Sequence, residues 1–162
     1  MKIVVSDLLD IEQGMIVHGC NAQGVMGAGV ADQIRRKYPY AHRVYHDAYT
    51  AAGLVLGEVI YAVFDTGNLI IANAITQQFF GQCSNRVYVD YHAVRKCMRS
   101  VAGVAKQHSM QVHFPKIGAG LARGDWSILS TIIDEELDDA GVEGILHILP
   151  NDSLAETAII SI

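Results

Sequence analysis

Short apolar runs rich in isoleucine and valine alternate with segments of helical spacing, and this alternation constrains the fold most strongly. Six runs have the length of a β-strand: residues 2–5, 15–19, 55–64, 69–75, 111–115 and 144–149. Helical spacing is found in residues 28–38, 40–52, 91–105 and 126–137. Such an alternation predicts an α/β fold of three layers, with helices on both faces of a mixed, mostly parallel sheet of about six strands.

Single residues mark several of the expected helix ends. Pro39 should stop the helix over residues 28–38, because proline disfavours helical backbone in the residue before it. Asp125 occupies the position of an N-cap for the helix that follows it; alternatively, it belongs to a site at the glycine-rich segment that precedes it. Gly141 stands where a glycine would end that helix.

The composition indicates a folded chain of ordinary size. Its 162 residues suit one domain covering residues 1–162, and 51% hydrophobic against 18% charged residues exclude a disordered or fibrous chain. The net charge of -5 argues against general nucleic-acid binding, which depends on basic side chains at phosphates. Apolar runs stay well short of the roughly 18 residues of a membrane span, and the start turns polar too early for a signal peptide. We therefore expect a cytoplasmic protein without a membrane partner.

The cysteine pattern argues against a disulfide framework and a zinc site. Cys20, Cys83 and Cys97 are odd in number and widely spaced, and no two of them form a CxxC pair. We expect neither a metal nor a cofactor.

Polar residues directly follow several apolar runs, and α/β folds bind ligands beyond the carboxyl ends of their strands. Asp7 comes after the first run and has two interpretations. Its carboxylate could accept a hydrogen bond from an exocyclic amine such as that of adenine. Alternatively, it could cap a turn over Leu8 and Leu9.

Two glycine-rich segments lie where a strand leads into a helix. The first glycine loop (residues 24–29) follows His18 and Asn21, and the second glycine loop (residues 118–124) follows Lys116. Glycine allows the backbone to approach a ligand closely, and a helix start offers N–H groups to a phosphate. The spacing matches neither the dinucleotide fingerprint nor the Walker loop. Together the loops predict a diphosphate held by backbone N–H groups, unless the glycines only tighten two turns. Lys116 and Arg123 are either additional charges or solvated flanking residues.

Residues 73–82 form a further segment of interest after the run at 69–75. The segment is polar and then aromatic, as expected of a loop that covers a ligand. The alternative is that Phe79 and Phe80 close the core.

Residues 21–31 and 115–121, in this order, resemble the macrodomain family of ADP-ribose-binding α/β/α modules. The resemblance runs from residue 2 to about residue 151. It implies a macrodomain-like sandwich, with Asp7 at the adenine amine and Asn21 at the distal ribose. The other residues that it places at the ligand are Leu8, Gly24, Val25, Met26, Gly27, Ala28, Gly29, Thr76, Ile117, Gly118, Ala119, Gly120, Leu121 and Asn151. Asn151 stands where many macrodomains have an aromatic residue against adenine.

Within the family, the chain is most similar to the branch of terminal ADP-ribose hydrolases and ADP-ribose 1″-phosphate phosphatases. The ADP-ribosyl-glutamate hydrolases of this branch carry a lysine where this chain holds Gln77 or Gln78, and an aspartate where it holds Ala122. Glutamine cannot act as an amine nucleophile, so that mechanism is not expected here. The phosphatases carry a histidine before the Cys-Asn pair, and His18 occupies this position.

The resemblance therefore implies a protein that binds ADP-ribose and hydrolyses the phosphate monoester of ADP-ribose 1″-phosphate. His18 and Asn21 are the expected catalytic residues, since histidine titrates near neutrality and can activate water or protonate a leaving group. A structural histidine is the alternative. Two other functions stay open: a non-catalytic ADP-ribose-binding module, and a hydrolase that removes ADP-ribose from modified macromolecules.

Overall fold

The computed structural model describes residues 1–160 and confirms the predicted α/β fold. The strands are β1 (Lys2–Val5), β2 (Gly14–Asn21), β3 (Val59–Phe64), β4 (Leu69–Gln77), β5 (Val112–Phe114) and β6 (Gly144–Ile148). The helices are α1 (Gly29–Lys37), α2 (Pro39–Ala52), α3 (Tyr91–Gln107), α4 (Trp126–Ala140) and α5 (Ala155–Ile160). Two 3₁₀ turns cover Leu8–Asp10 and Asp65–Gly67. Residues 161 and 162 of the predicted single domain lie outside the described residues.

The six strands form one mixed sheet in the order β1-β6-β5-β2-β4-β3. All neighbouring strands are parallel except β3 and β4, which pair antiparallel. The carboxyl ends of the five parallel strands therefore meet at one edge of the sheet, which is the edge where α/β folds bind ligands.

Helices cover both faces of the sheet and bury alternate side chains of each strand. Met15 and Val17 of β2 pack in the cluster formed with α3 and α4. Ile16, which lies between them, packs with Ile34 of α1 and Ala41 of α2 on the opposite face. This alternation produces the three layers.

The predicted ends of α1 and α4 are confirmed. Asp125 caps α4 by accepting a hydrogen bond from the backbone N–H of Ser127 at 2.8 Å. Gly141 follows this helix with a left-handed backbone (φ 69°). The helix α1 ends at Lys37, and Pro39 begins α2, since the first turn of a helix needs no donor from proline.

Two parts of the fold differ from the sequence-based expectation. The run at 55–64 yields a strand only from Val59, because Val55 and Glu58 form a turn through a backbone hydrogen bond of 3.1 Å. The short helix α5 was not predicted. Over residues 1–160, no helix is both long enough and apolar enough to cross a bilayer.

Candidate functional site

A cavity of about 490 Å³ opens at the carboxyl edge of the sheet, a size typical of small-molecule sites. Its wall combines the ends of β2 and β4, the residues that follow β4 and β5, both glycine loops and the start of α1. The lining residues are His18, Gly19, Cys20, Asn21, Val25, Gly27, Ala28, Gly29, Val30, Ala31, Thr76, Gln77, Phe80, Gly81, Gln82, Pro115, Lys116, Ile117, Gly118, Gly120, Leu121 and Ala122.

The structure brings most of the predicted site residues together in this cavity. Those in its wall are His18, Asn21, Val25, Gly27, Ala28, Gly29, Thr76, Ile117, Gly118, Gly120 and Leu121. Those outside the wall are Asp7, Leu8, Gly24, Met26, Ala119 and Asn151.

Asn21 organises the turn that leads into the first glycine loop. Its Oδ1 accepts hydrogen bonds from the backbone N–H groups of Gln23 at 3.0 Å and Val25 at 3.3 Å. Its Nδ2 donates to the carbonyl of Val25 at 2.7 Å. The hydroxyl of Tyr45, whose pKa burial raises, donates to the carbonyl of Asn21 at 2.7 Å. The amide of Asn21 thus fixes the backbone of a turn in the cavity wall, and its predicted contact with a distal ribose stays a prediction.

Two glycines are required by their backbone and their neighbours, and a third faces open space. Gly118 has φ +76°, and a Cβ there would lie 2.7 Å from the side chain of Val89. Gly24 has φ +75°, and a Cβ there would lie 2.5 Å from the ring of Tyr49. A Cβ at Gly120, by contrast, would meet no atom within 4 Å. The backbone of Gly120 therefore borders free space in the cavity wall.

The start of α1 lies in the cavity wall and has no side-chain cap. Ala28 is the N-cap of this helix and offers no side-chain acceptor, whereas Asp90 and Asp125 cap α3 and α4 with their carboxylates. Among residues 1–160, no acceptor pairs with the N–H groups of Gly29, Val30 and Ala31, which line the cavity. A helix start of this kind attracts anions through its free donors and its dipole.

His18 lies at the cavity base with its ring turned into the protein. The side chain is 1% exposed, and Nε2 lies 2.6 Å from Oδ1 of Asn73. Because Nδ2 of Asn73 donates to the carbonyl of Ala41, Oδ1 must accept, and the proton of His18 is on Nε2. Burial lowers the pKa of His18 to about 4, although the bond to Asn73 raises it. The ring is therefore neutral at pH 7, which agrees with the alternative that His18 is a structural histidine. Its catalytic role stays a prediction.

Cys20 lies beside this ring and is equally sealed from solvent. Its Sγ is 3.7 Å from the unprotonated Nδ1 of His18. Burial holds the pKa of the Cys20 thiol well above its usual range, so the thiol stays protonated. This pair lacks the thiolate that nucleophilic chemistry at cysteine needs.

The three residues predicted at or beside adenine lie outside the cavity wall. Oδ1 of Asp7 accepts a hydrogen bond from the N–H of Leu9 at 2.9 Å, which is the capping interpretation of this residue. Leu8 is buried in the core between the sheet and α1. Asn151 is exposed in the turn after β6. The roles predicted for all three at adenine stay predictions.

Phe79 and Phe80 are about half exposed, at 48% and 53% of their surfaces. The alternative that they close the core is therefore wrong. Phe80 lines the cavity, as expected of a segment that covers a ligand.

The comparison with protein families decides the class of this chain. The family model described as Macro domain matches residues 17–133, more than half of the chain. The chain belongs to the macrodomain family.

Three relatives of this macrodomain carry different names. An uncharacterized 17.5 kDa protein of Enterobacteria phage T4 is 29% identical and aligns over 83% of this chain and 88% of its own length. The ADP-ribose 1″-phosphate phosphatase of Candida albicans is 25% identical over 75% of this chain and 80% of its own length. The DNA ADP-ribosyl glycohydrolase of Mycobacterium tuberculosis is 28% identical over 74% of this chain, which is 34% of the relative.

Solved structures agree with the macrodomain fold. A protein from Bacteroides thetaiotaomicron superposes with a TM-score of 0.83 at 30% identity, covering 90% of this chain and 96% of that one. A macrodomain protein from Streptomyces coelicolor superposes with a TM-score of 0.76 at 27% identity, covering 91% and 97%.

Two chemical features of this macrodomain's cavity were missed by the sequence reasoning. The Oγ1 of Thr76 is buried and has no hydrogen-bond partner among the described residues. It lies next to Gly19, where an added Cβ would come within 2.8 Å of it. The Nζ of Lys116 is 2.6 Å from Oδ1 of Asp152, so the basic side chain in the wall is already paired. The spacing of the sequence indicates neither the unpaired hydroxyl of Thr76 nor the ion pair of Lys116 with Asp152.

The part of the chain that the structure describes contains no cluster of side chains that could bind a metal ion. Within residues 1–160, no three histidine, cysteine or acidic side chains come close enough together to hold an ion.

Proposed function

We propose that this macrodomain binds ADP-ribose, with the diphosphate between the start of α1 and the second glycine loop. The observation that carries this proposal is the uncapped N-terminus of α1 in the cavity wall, where the N–H groups of Gly29, Val30 and Ala31 have no acceptor among the described residues. These residues and Gly120, whose backbone borders open space, line the same cavity. Backbone donors of this kind hold phosphate without a cluster of basic side chains.

The adenine contacts predicted at Asp7 and Asn151 would give the proposed ligand a direction along the sheet edge. Asp7 and Asn151 follow the neighbouring strands β1 and β6, whereas Thr76 and Gln77 end β4 on the other side of β2. An extended ADP-ribose with its adenine toward β1 and β6 therefore has its distal ribose near the end of β4.

We infer that the reaction is hydrolysis at the anomeric end of this distal ribose, with ADP-ribose 1″-phosphate as the first substrate to test. Two of the relatives are named as hydrolases of ADP-ribose derivatives, which supports this class of reaction. Free N–H groups at a glycine loop can stabilise phosphoryl charge without a metal. Gln77 and Gln78 provide no amine nucleophile, so an attack through lysine at those positions is not part of the proposal.

The burial of His18 favours a second candidate function, a module that binds ADP-ribose without catalysis. Its Nε2 is bonded to Asn73, and a pKa near 4 makes the ring a weak base. A binding module needs no titrating group and would use the same cavity.

Phosphate release from ADP-ribose 1″-phosphate separates the two functions. We expect the wild-type protein to release phosphate, with ADP-ribose binding retained in His18→Ala. Circular dichroism first checks that this variant is folded. If the folded variant no longer releases phosphate, His18 takes part in catalysis. If its phosphate release is unchanged, another residue is catalytic. A wild-type protein that binds ADP-ribose and releases no phosphate is a binding module, which contradicts the hydrolase proposal.

A further inference from the structure

The strand β3 forms one edge of the sheet, and its outer side has no neighbouring strand among the described residues. Directly before β3, the carbonyl of Glu58 accepts a hydrogen bond of 2.8 Å from the N–H of Ile75 in β4. Backbone groups alternate in direction along an antiparallel strand, so those of Val59, Tyr61 and Val63 point away from β4. The edge therefore offers free donors and acceptors to another strand.

The features that usually protect an edge strand are missing from β3. Its six residues, Val59–Phe64, include no charged side chain, no proline and no glycine. The strand pairs with β4 in an unbroken register, and Val63 is 53% exposed. At the opposite edge of the sheet, β1 has only four residues and carries the charge of Lys2. Charges, prolines and bulges keep edge strands from pairing with other chains, so β3 is open to such pairing.

A second copy of the chain fits this edge in one register. When Tyr61 lies opposite Tyr61 of the second copy in an antiparallel pair, Val59 lies opposite Val63 at both ends. Each of these pairs can exchange two hydrogen bonds, because all three residues point their backbone groups outward. A shift by two residues would put Val59 or Val63 opposite a residue outside the strand. The register centred on Tyr61 therefore uses all the outward backbone groups of β3.

The same register brings opposite charges together at both ends of the paired strands. It places Asp65 of the second copy opposite Gly57. The side chain of Lys96 lies over Gly57, since a Cβ added there would be 2.9 Å from the Cδ of Lys96. Asp65 and Lys96 are exposed, and neither forms an ion pair within the described residues. A second copy is thus complementary to the edge in charge as well as in backbone.

We propose that the chain forms a twofold symmetric dimer, in which the β3 strands of two copies pair antiparallel and join the two sheets into one. A twofold interface is closed, so this pairing uses up the free edge and does not grow into a fibre. ADP-ribose binding is independent of the dimer, because no residue of β3 lies in the cavity wall.

Sedimentation equilibrium of the full chain tests the dimer at concentrations from about 5 µM to about 500 µM, a range that covers micromolar dissociation constants. Val63→Lys adds a charge to the edge. Val87→Lys is the matched control, because Val87 is 54% exposed and lies outside β3. Asp65→Lys, Lys96→Glu and the double variant form a cycle that measures the charge pair. Circular dichroism checks that each variant is folded, and calorimetry measures ADP-ribose binding.

We expect the wild type to reach twice the chain mass of 17.6 kDa at the highest concentration. Val63→Lys should weaken the dimer at least about tenfold, while Val87→Lys behaves like the wild type. Asp65→Lys and Lys96→Glu should each weaken it at least about 5-fold, because each variant sets two pairs of like charges against one another. The double variant restores opposite charges and should return the dimer to its wild-type strength.

A wild type that stays monomeric over the whole range overturns the proposal. A dimer that Val63→Lys leaves unchanged also overturns it, since the two copies would then meet through another surface. A double variant that is no tighter than the single variants shows that the proposed register is wrong. ADP-ribose binding should be the same in Val63→Lys as in the wild type. Its absence from the wild type would remove the proposed function and leave the dimer untouched.

Discussion

Asn21 and Val25 are joined by two hydrogen bonds across the turn that opens the first glycine loop. The Nδ2 of Asn21 donates to the carbonyl of Val25 at 2.7 Å, and the N–H of Val25 returns a longer bond of 3.3 Å to Oδ1. One buried amide side chain thereby fixes the backbone of a turn that lines the cavity.

Replacing Asn21 by alanine should therefore affect both stability and ligand binding. The backbone groups of Gln23 and Val25 would lose their partner, which costs about 1–3 kcal/mol of unfolding free energy. We expect the affinity for ADP-ribose to fall at least about tenfold, since the loop no longer holds its shape. Urea unfolding and calorimetry measure the two effects. Gln107→Ala, at the exposed end of α3, is the control. An unchanged affinity in Asn21→Ala would contradict the role given to this side chain.

Thr76→Val should make the protein more stable. The hydroxyl of Thr76 is buried without a partner among the described residues, so valine removes an unsatisfied group and keeps the shape. The expected gain in unfolding free energy is about 1 kcal/mol. Thr131→Val is the matched control, because the hydroxyl of Thr131 donates to the carbonyl of Ser127 at 2.9 Å. A loss of stability in Thr76→Val would show that its hydroxyl has a partner after all.

The free energy of unfolding should fall at acidic pH because the ring of His18 is buried in its neutral form. Its pKa is about 4 in the folded state and about 6.5 when unfolded, so the unfolded state binds more protons between these values. The contribution of His18 is therefore complete above pH 6.5 and falls by about 3 kcal/mol as the pH drops to 4. In His18→Gln this part of the pH dependence should disappear.

Urea unfolding between pH 7 and pH 4 checks this expectation. His92→Gln, on the exposed side of α3, should follow the wild-type curve. Parallel curves for the wild type and His18→Gln would mean that the ring of His18 is not buried in its neutral form.

The positions of the strands and their alternation with helices could be predicted, because a strand that is buried on both faces of a sheet has a continuous apolar sequence. The antiparallel pairing of β3 could not be predicted, since hydropathy does not indicate the direction of a strand. The helix α5 could not be predicted either, because six residues are too few to show a helical period. The ends of α4 were predictable because Asp125 and Gly141 act through local backbone geometry.

The location of the site was predictable from topology, but the direction of its side chains was not. Asp7 and Asn151 follow strands at the correct edge, yet their side chains lie outside the cavity wall. For His18 a signal was available. Residues two apart on a strand share a face, so His18 of β2 shares the buried face of Ile16 and Cys20.

The free space at Gly120 provides the most direct test of the proposed ADP-ribose site. Gly120→Val would add a side chain at the cavity wall, and its Cβ would meet no atom within 4 Å, so the fold should be kept. Gly103→Val is the matched control, because Gly103 on α3 also has open space at this position and lies outside the cavity wall.

The decisive measurement is the calorimetric titration of ADP-ribose into the wild-type protein, Gly120→Val and Gly103→Val. We expect binding to the wild type and to Gly103→Val with equal affinity, and a loss of at least about tenfold in Gly120→Val. No heat of binding in the wild type at millimolar ligand, or equal binding in all three proteins, would contradict an ADP-ribose site between the first turn of α1 and the second glycine loop.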